Sequence, residues 1–362
     1  MKIKNIFFAA ILVLAGFYCS MEDDAIMNDV EKGIEEATEA YTVLDFGVAF
    51  NEMATKASTT VVPGEDRPAT GDENNDEKKI SEVSVFLLED GKVIGILIPQ
   101  NRNQVSSNSD GSITLKDLKF VTKYKTNRTL DAHVVINGNQ FLKNINIGDA
   151  QSALNQQISG CLSADQLIKY GSTRIVFGKD ITNSYSSPSV AENNPTTILV
   201  KVSHVAARLD FSQFDVTLKG FEGNPTVVFD EAKFVNLQQN GKIVEGDASV
   251  NVKDGAFLNR SNRIGTRWTD MGTAYGYANQ YKQDSEMNTA LYVKFTVDGR
   301  TFEKTYPINP AGITKEVDHN GIKGGYLYDI KVRWTITPDW GDSTIEFYTR
   351  DWVHNSIPEI VL

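Results

Sequence analysis

The chain of 362 residues is short of the residue types and motifs that most catalytic and metal sites require. It has two cysteines and four histidines, and the histidines are scattered at His133, His204, His319 and His354. A structural zinc site needs three or four Cys or His ligands at close spacing. No glycine-rich phosphate loop, Gly-x-Ser-x-Gly elbow or His-Glu-x-x-His motif is present. We therefore expect no enzyme activity, no cofactor and no resident metal.

The remaining reactive side chains have simpler interpretations. His133 and His204 lie inside strand patterns, where a packed histidine is the common case. Cys161 is expected to pack as a small apolar residue. The acidic pairs 23–24 and 76–77 fall in apparent linkers and are interpreted as solvated charge. Asp339 and Asp342 leave a calcium site open, but their spacing is not diagnostic.

Positive charge is also scarce. Lys and Arg number 36 against 47 Asp and Glu, so the net charge is −11 and the pI is about 5.0. Nucleic acids and anionic lipid surfaces bind proteins that carry dense Lys and Arg. We therefore exclude nucleic acid and anionic lipid headgroups as main partners.

The apolar run at the N-terminus is too short to span a bilayer. Residues 6–17 follow Lys2 and Lys4 and have the length of a secretory signal core. Cys19 comes directly afterwards, which predicts a signal peptide over 1–18 and a lipid on Cys19. The bulky residues at 17 and 18 depart from the usual lipoprotein pattern and leave open an ordinary cut near Ala15 or Gly16. An acidic patch over residues 20–24 resembles the surface-export signal of Bacteroides-group lipoproteins.

The sequence pattern predicts strands and turns over most of the chain. Alternating apolar and polar residues recur in short segments, such as 83–87, 291–297 and 326–336, and many segments end at Asp-Gly or Asn-Gly turns. The apolar residues over 43–50 also form a short β-like segment. This pattern predicts an all-β protein of antiparallel sandwiches. A polar stretch at 184–197 places a domain boundary between 200 and 201, which gives domains over 57–200 and 201–362. Only residues 149–170 have a helical pattern downstream of the N-terminal tether.

Several elements in a fixed order resemble the fimbrillins, the subunits of type V pili of Bacteroides-group bacteria. The resemblance covers most of residues 42–362. The elements that carry it are residues 78–87 with the turn at 89–91, residues 133–138, 201–210, 274–279, 306–308, 324–334 and 351–352. It implies two transthyretin-like, Greek-key β-sandwiches in tandem. Where the family usually has Arg, this chain has His204.

The resemblance also implies a route of assembly. Fimbrillins are lipoprotein precursors, and a surface protease cuts after a basic residue and removes the first strand. Here the cut would fall between Lys56 and Ala57, with residues 19–56 as acidic tether and propeptide strand. A strand of another subunit then fills the gap, and the apolar tail 352–362 is one candidate donor. The implied partners are other pilus subunits, the outer membrane through palmitate on the precursor, and a receptor on a host or bacterial surface.

Several alternatives stay open at this stage. The family usually has Arg at the cut site, so an Arg-specific protease would leave Lys56 intact and the subunit anchored at the outer membrane. The tail 352–362 is equally expected to complete its own C-terminal sheet. The chain would alternatively be a monomeric outer-membrane lipoprotein that binds a glycan or a host protein. That function predicts an aromatic patch open to solvent, formed by Trp268, Tyr275 and Tyr277.

Overall fold

The computed structural model describes residues 39–50, 75–109, 112–255, 258, 263–282, 285–309, 320–351 and 359–360. Strands make up most of the described residues, which confirms the predicted all-β class. Two α-helices occur among them, and each is no longer than five residues. None of the helices in this part of the chain is long and apolar enough to cross a membrane.

The described residues of the first half form ten strands and two short helices. The strands are β1 (Tyr41–Phe50), β2 (Lys79–Ile80), β3 (Val83–Glu89), β4 (Lys92–Leu97), β5 (Val105–Ser107), β6 (Ile113–Lys123), β7 (Thr129–Ile136), β8 (Gln157–Ser159), β9 (Lys169–Val176) and β10 (Thr196–His204). The helices are α1 (Asn139–Leu142) and α2 (Pro188–Glu192), and 3-10 turns cover Asn75–Lys78, Arg102–Gln104, Gln151–Leu154 and Ala164–Gln166.

Eight of these strands form the N-terminal sandwich. Their order is β4-β3-β7-β9-β10-β1-β6-β5, and the sheet turns a corner where β9 and β10 share only two residue pairs. The two halves on either side of this corner enclose one core. Leu44, Phe46 and Val48 of β1 pack there in one cluster with side chains of β3 and β7, such as Val85 and Val134. Burial of alternate side chains from two facing sheets is the usual source of stability in a β-sandwich.

In the second half, the part of the chain that the structure describes forms twelve strands. They are β11 (Ala207–Leu218), β12 (Val227–Val235), β13 (Leu237–Gln238), β14 (Asn240–Lys242), β15 (Val252–Lys253), β16 (Arg263–Ile264), β17 (Arg267–Gly276), β18 (Ala290–Val297), β19 (Arg300–Pro307), β20 (Tyr326–Ile336), β21 (Gly341–Asp351) and β22 (Glu359–Ile360).

Two four-stranded sheets form the C-terminal sandwich. Their orders are β17-β11-β20-β21 and β16-β12-β18-β19. An aromatic cluster fills the space between them, with Phe214 at its centre. The Phe214 ring lies 5.3 to 5.4 Å from the rings of Phe229, Trp268 and Phe295. Such edge and tilted contacts are the preferred geometries of aromatic pairs and add to the burial of the rings.

A third apolar cluster joins the two sandwiches. It combines residues from the outer face of β3 and β7, such as Phe86 and Val135, with Tyr277 and Leu327 of the second half. A short antiparallel ladder between β8 and β14 crosses the same junction. The predicted boundary at 200/201 falls inside β10 and stays a prediction.

Local turn signals in the sequence are confirmed. Asp90 and Gly91 both have positive φ, 48° and 72°, and connect β3 to β4. Asp298 and Gly299 do the same between β18 and β19, at 46° and 84°. Such pairs suit a two-residue hairpin because its twist matches that of the strands.

Three expectations differ from the structure. The helical pattern over 149–170 is wrong, because two 3-10 turns and β8 occupy it. The sheets are not purely antiparallel, since β1 pairs in parallel with β10 and β11 with β20. Glu77 is not solvated charge, because its side chain is fully buried.

Candidate functional site

Strand β1 occupies a slot in the middle of the N-terminal sheet. It pairs in parallel with β10 from Leu44↔Thr196 to Phe50↔Val202. On its other side it pairs antiparallel with β6 from Tyr41↔Lys123 to Val48↔Ile113. Strands β10 and β6 therefore each bind β1 through the backbone N–H and C=O groups along one of their own edges. We call the space between β10 and β6 the β1 slot.

Side chains on both faces of β1 are buried. Toward the core, Leu44, Phe46 and Val48 are fully buried and Phe50 is nearly so. Each such side chain stabilises the folded chain by roughly 1.5–3 kcal/mol relative to exposure. On the opposite face Val43 is fully buried as well. The strand thus behaves as a central element of the sandwich and not as an exposed edge.

The chain between β9 and β10 crosses the outer end of β1, and we call these residues, 177–195, the strap. Tyr41 and Tyr185 exchange two backbone hydrogen bonds of 2.8 Å, N to O in each direction. Helix α2 follows three residues later, and its Ala191 is fully buried. The Nζ atom of Lys119 on β6 donates to the carbonyl oxygen of Glu192 at 2.8 Å. The chain between β9 and β10 therefore covers the first residues of β1 from outside.

A bulge in β6 fixes the register of β1. Leu44 faces Phe120 and Phe46 faces Leu115, so Asp45 alone stands opposite residues 116–119. Asp117 in this bulge has a φ of 57°. Burial raises the pKa of the Asp45 carboxyl, although its Oδ1 accepts a 2.9 Å hydrogen bond from Phe46 N. A strand shifted by one residue would move its apolar side chains out of the core, so the bulge and the core select one register.

The backbones of β9 and β10 approach each other closely at Gly171, next to the β1 slot. A Cβ atom on Gly171 of β9 would overlap the carbonyl oxygen of Lys201 on β10. Gly276 in β17 is also a strand glycine, but a Cβ there would meet its nearest atom at 3.4 Å, an ordinary contact.

We expect Gly171→Ala to lower the free energy of unfolding by on the order of 3 kcal/mol, because backbone must move to admit the methyl group. Gly276→Ala should change it by less than about 1 kcal/mol. Urea denaturation of both variants measures the difference. Equal stability of the two variants would contradict the assigned contact at the β9–β10 corner.

The predicted processing and lipid sites lie outside the described residues. Cys19, Lys56 and Ala57 all fall in 1–38 or 51–74. The sequence places Lys56 six residues after the end of β1. The chain resumes in the described structure at Asn75. The lipid on Cys19 and the cut at Lys56 therefore stay predictions.

The predicted aromatic patch is not open to solvent. Trp268 and Tyr277 are buried in the core clusters. The Tyr277 hydroxyl donates to the carbonyl oxygen of Gly160 at 2.7 Å. The Tyr275 hydroxyl donates to the buried carboxylate of Glu77. These three side chains support the packing of the molecule and do not form a platform for a sugar ring.

The described histidines and the cysteine do not form a reactive group. His133 is buried, which lowers its pKa, and its Nδ1 lies 2.7 Å from the Tyr170 hydroxyl. Burial raises the pKa of the Cys161 thiol, whose sulfur accepts from Gln140 Nε2 at 3.0 Å. No group of three or more His, Cys, Asp or Glu side chains in the described ranges has the geometry to hold a metal ion.

The β1 slot was only partly foreseen from the sequence. The apolar residues over 43–50 predicted a β-like segment, and the resemblance marked it as the removable strand. The parallel pairing with β10 and the cover by the strap were missed. The polar stretch 184–197 has no strand or helix periodicity, since an isolated bridge at Tyr185 and a five-residue helix precede the start of β10 at Thr196.

No protein family model matches the chain, and no curated protein matches it in sequence. Solved structures match its fold. A candidate cell adhesion protein from Parabacteroides distasonis has a TM-score of 0.60 at 17% identity, with 88% of this chain and 99% of that chain covered. A second candidate adhesion protein from that species has a TM-score of 0.50 at 12% identity, covering 87% and 99%. A fimbrilin from Porphyromonas gingivalis has a TM-score of 0.49 at 15% identity, covering 88% and 99%.

At these identities the likeness shows a shared fold. The resemblance indicated by the sequence elements is confirmed at the level of the fold, which the chain shares with the two candidate cell adhesion proteins of Parabacteroides distasonis. The chain shares its all-β fold with these two proteins.

Proposed function

We propose that the chain is a structural subunit of a cell-surface fimbria, in which β1 is removed by proteolysis and replaced by a strand of another subunit. The observation that carries this proposal is the position of β1. It is buried on both faces between β10 and β6. Its covalent connection to the strands that follow runs through residues 51–74, which contain Lys56. One cut in this connection separates β1 covalently from the rest of the fold.

Loss of β1 would create a strong binding site for another strand. The facing edges of β10 and β6 would expose unpaired N–H and C=O groups, and the core side of the slot would expose apolar surface. An incoming strand satisfies the backbone groups, and its alternate side chains enter the pockets vacated by Leu44, Phe46, Val48 and Phe50. Repetition from subunit to subunit without closure produces a filament.

The precursor is proposed to reach the cell surface as a lipoprotein. Residues 1–18 serve as the signal peptide and Cys19 carries the lipid, including palmitate. Two or three acyl chains hold a protein stably at a membrane, whereas one chain holds it only marginally. The cut after Lys56 would release the mature chain from this outer-membrane anchor into the fimbrium.

The partners are proposed to be other pilus subunits, in a homo- or heteropolymer, with adhesion to a host or bacterial receptor as the result. The described residues of the tail pair within their own chain, since β22 pairs in parallel with β2 at Lys79↔Glu359 and Ile80↔Ile360. Strand β21 completes the edge of the C-terminal sheet beside β20. Residues 352–358 and 361–362 lie outside the described part, so the donor role of the tail stays a prediction.

The proposal is tested on the protein at the cell surface. The N-terminal residue and the mass are determined before and after trypsin, and assembly is followed as SDS-resistant ladders. We expect a mature chain that begins at Ala57 and forms ladders, and a Lys56→Gln variant that does neither. A chain that begins at acylated Cys19 and stays monomeric after trypsin would overturn the proposed assembly.

A further inference from the structure

The chain re-enters the described structure through a tightly held segment directly after the connection that contains Lys56. Asn75–Lys78 form one 3-10 turn, followed by β2. Glu77 in this turn is fully buried. Its Oε2 accepts from Arg208 Nη1 at 2.9 Å, and its Oε1 accepts from the Tyr275 hydroxyl. Arg208 and Tyr275 belong to β11 and β17, so the turn is attached to the C-terminal sandwich.

The backbone of the same segment is attached to the N-terminal sandwich. Lys169 of β9 is fully buried, and its Nζ donates to the carbonyl oxygen of Glu77 at 2.9 Å. Asn137, at the end of β7, donates through Nδ2 to the carbonyl oxygen of Lys79 at 3.0 Å. Its Oδ1 accepts from Ser81 N at 2.9 Å. We call residues 76–81 and the side chains that bind them the joint.

Opening of the joint would break a buried ion pair. If the turn left its place, the Arg208 guanidinium would lose its 2.9 Å contact with Glu77 Oε2. The Tyr275 hydroxyl would lose the acceptor that it now contacts. Buried charged groups are stable only when paired and hydrogen-bonded, so these contacts hold the turn closed as a unit.

The joint contains a second site of the kind that a trypsin-like protease recognises. The basic residues between positions 51 and 81 are Lys56, Arg67, Lys78 and Lys79. Arg67 precedes a proline, which trypsin-like proteases do not accept after the cut bond. The lysine pair is the remaining competitor of Lys56. A protease needs several residues in an open, extended form, and cleavage of a folded segment follows the population of its opened state.

We infer that the joint sets the downstream limit of processing: it shields the bonds after Lys78 and Lys79, so that a cut after Lys56 releases β1 while the new N-terminal segment stays attached to both sandwiches. This inference rests on the proposed function. It assigns Glu77, Arg208 and Tyr275 as positioning residues that act through the conformation of residues 76–81. A cut inside the joint would instead sever Glu77 from β2 and separate the segment from the chain that it fixes.

The test is limited trypsin digestion of the full chain, with each new N-terminus identified by mass spectrometry over time. In the wild-type chain we expect a cut after Lys56 and at least about tenfold slower cutting after Lys78 or Lys79, as expected when a folded segment must open before it is cut. In Glu77→Gln, and more mildly in Tyr275→Phe, cutting after the lysine pair should accelerate by at least about tenfold, since a charge-assisted contact is weakened or lost.

A matched control separates positioning from general loss of stability. Val293→Ala removes buried volume in the core of the C-terminal sandwich, away from the joint. At equal loss in Tm, this variant should be cut after the lysine pair at the slow wild-type rate. Cutting after Lys78 or Lys79 at the Lys56 rate in wild type, or equal cutting in Glu77→Gln and the control, would overturn the inference. Absence of any cut after Lys56 would instead count against the proposed function, whatever happens at the lysine pair.

Discussion

A chain with Phe46→Asp is expected to lose the closed N-terminal sandwich while it keeps the C-terminal one. Phe46 is fully buried in the core between β1 and the facing sheet. The substitution removes a large buried ring and places an unpaired carboxylate in its position. Together these changes should lower the free energy of unfolding of the N-terminal sandwich by on the order of 5 kcal/mol or more. That loss matches the entire stability of many domains. Hydrogen exchange should show β6 and β10 unprotected and β11, β18 and β20 still protected.

The neighbouring residue supplies the control for this substitution. Asp45 lies at the β6 bulge, and an asparagine there keeps an oxygen that accepts from Phe46 N. Asp45→Asn should therefore preserve the protection of β6 and β10. Retained protection in Phe46→Asp would contradict the role of β1 as the strand that closes this core.

The second large effect is expected in the aromatic core of the C-terminal sandwich. Phe214→Ala should lower the free energy of unfolding of that sandwich by about 3–5 kcal/mol. Phe214 contacts four aromatic rings, so its removal leaves a cavity that the facing sheets cannot close. All four tryptophans lie at position 268 or later, so tryptophan fluorescence during urea unfolding reports on this half.

Phe221 serves as the matched control because it packs against the same cluster but is only partly buried. Phe221→Ala should lower the free energy of unfolding by less than about 2 kcal/mol, since less buried area is lost. A larger effect for Phe221 than for Phe214 would contradict the assignment of Phe214 to the centre of this core.

Local sequence signals predicted the elements of the fold well. Period-two alternation identified β3, β18 and β20. It follows burial most closely in β18, where buried and half-buried side chains alternate along most of the strand. Asp-Gly pairs identified two hairpins, because only a few residues adopt positive φ without strain. These signals depend on neighbours in sequence and are therefore visible without the structure.

Non-local pairings were not predictable in the same way. The parallel ladders β1–β10 and β11–β20 join segments far apart in the chain, and alternation is the same in either direction. The bulge opposite Asp45 depends on which strand lies beside β1. Strand order therefore required the structure.

Glu77 shows the limit of reading charge from composition. It stands among Asp, Asn and Lys residues that are typical of a linker, and Asp76 beside it is indeed exposed. Its burial follows from Arg208 and Tyr275, which lie more than a hundred residues later in the chain. Nothing in the local pattern distinguishes a solvated acid from one that is paired across a domain junction.

The central claim is that the β1 slot can be emptied and refilled by a strand. The most direct measurement cuts the chain after Lys56, extracts β1 in urea and, on return to buffer, adds a labelled peptide of residues 39–52. We predict binding of one peptide per chain and recovery of hydrogen-exchange protection in β6 and β10, with no binding of the same peptide carrying Phe46→Asp. Full protection of β6 and β10 without any peptide, or equal binding of both peptides, would contradict a vacant slot that selects its strand.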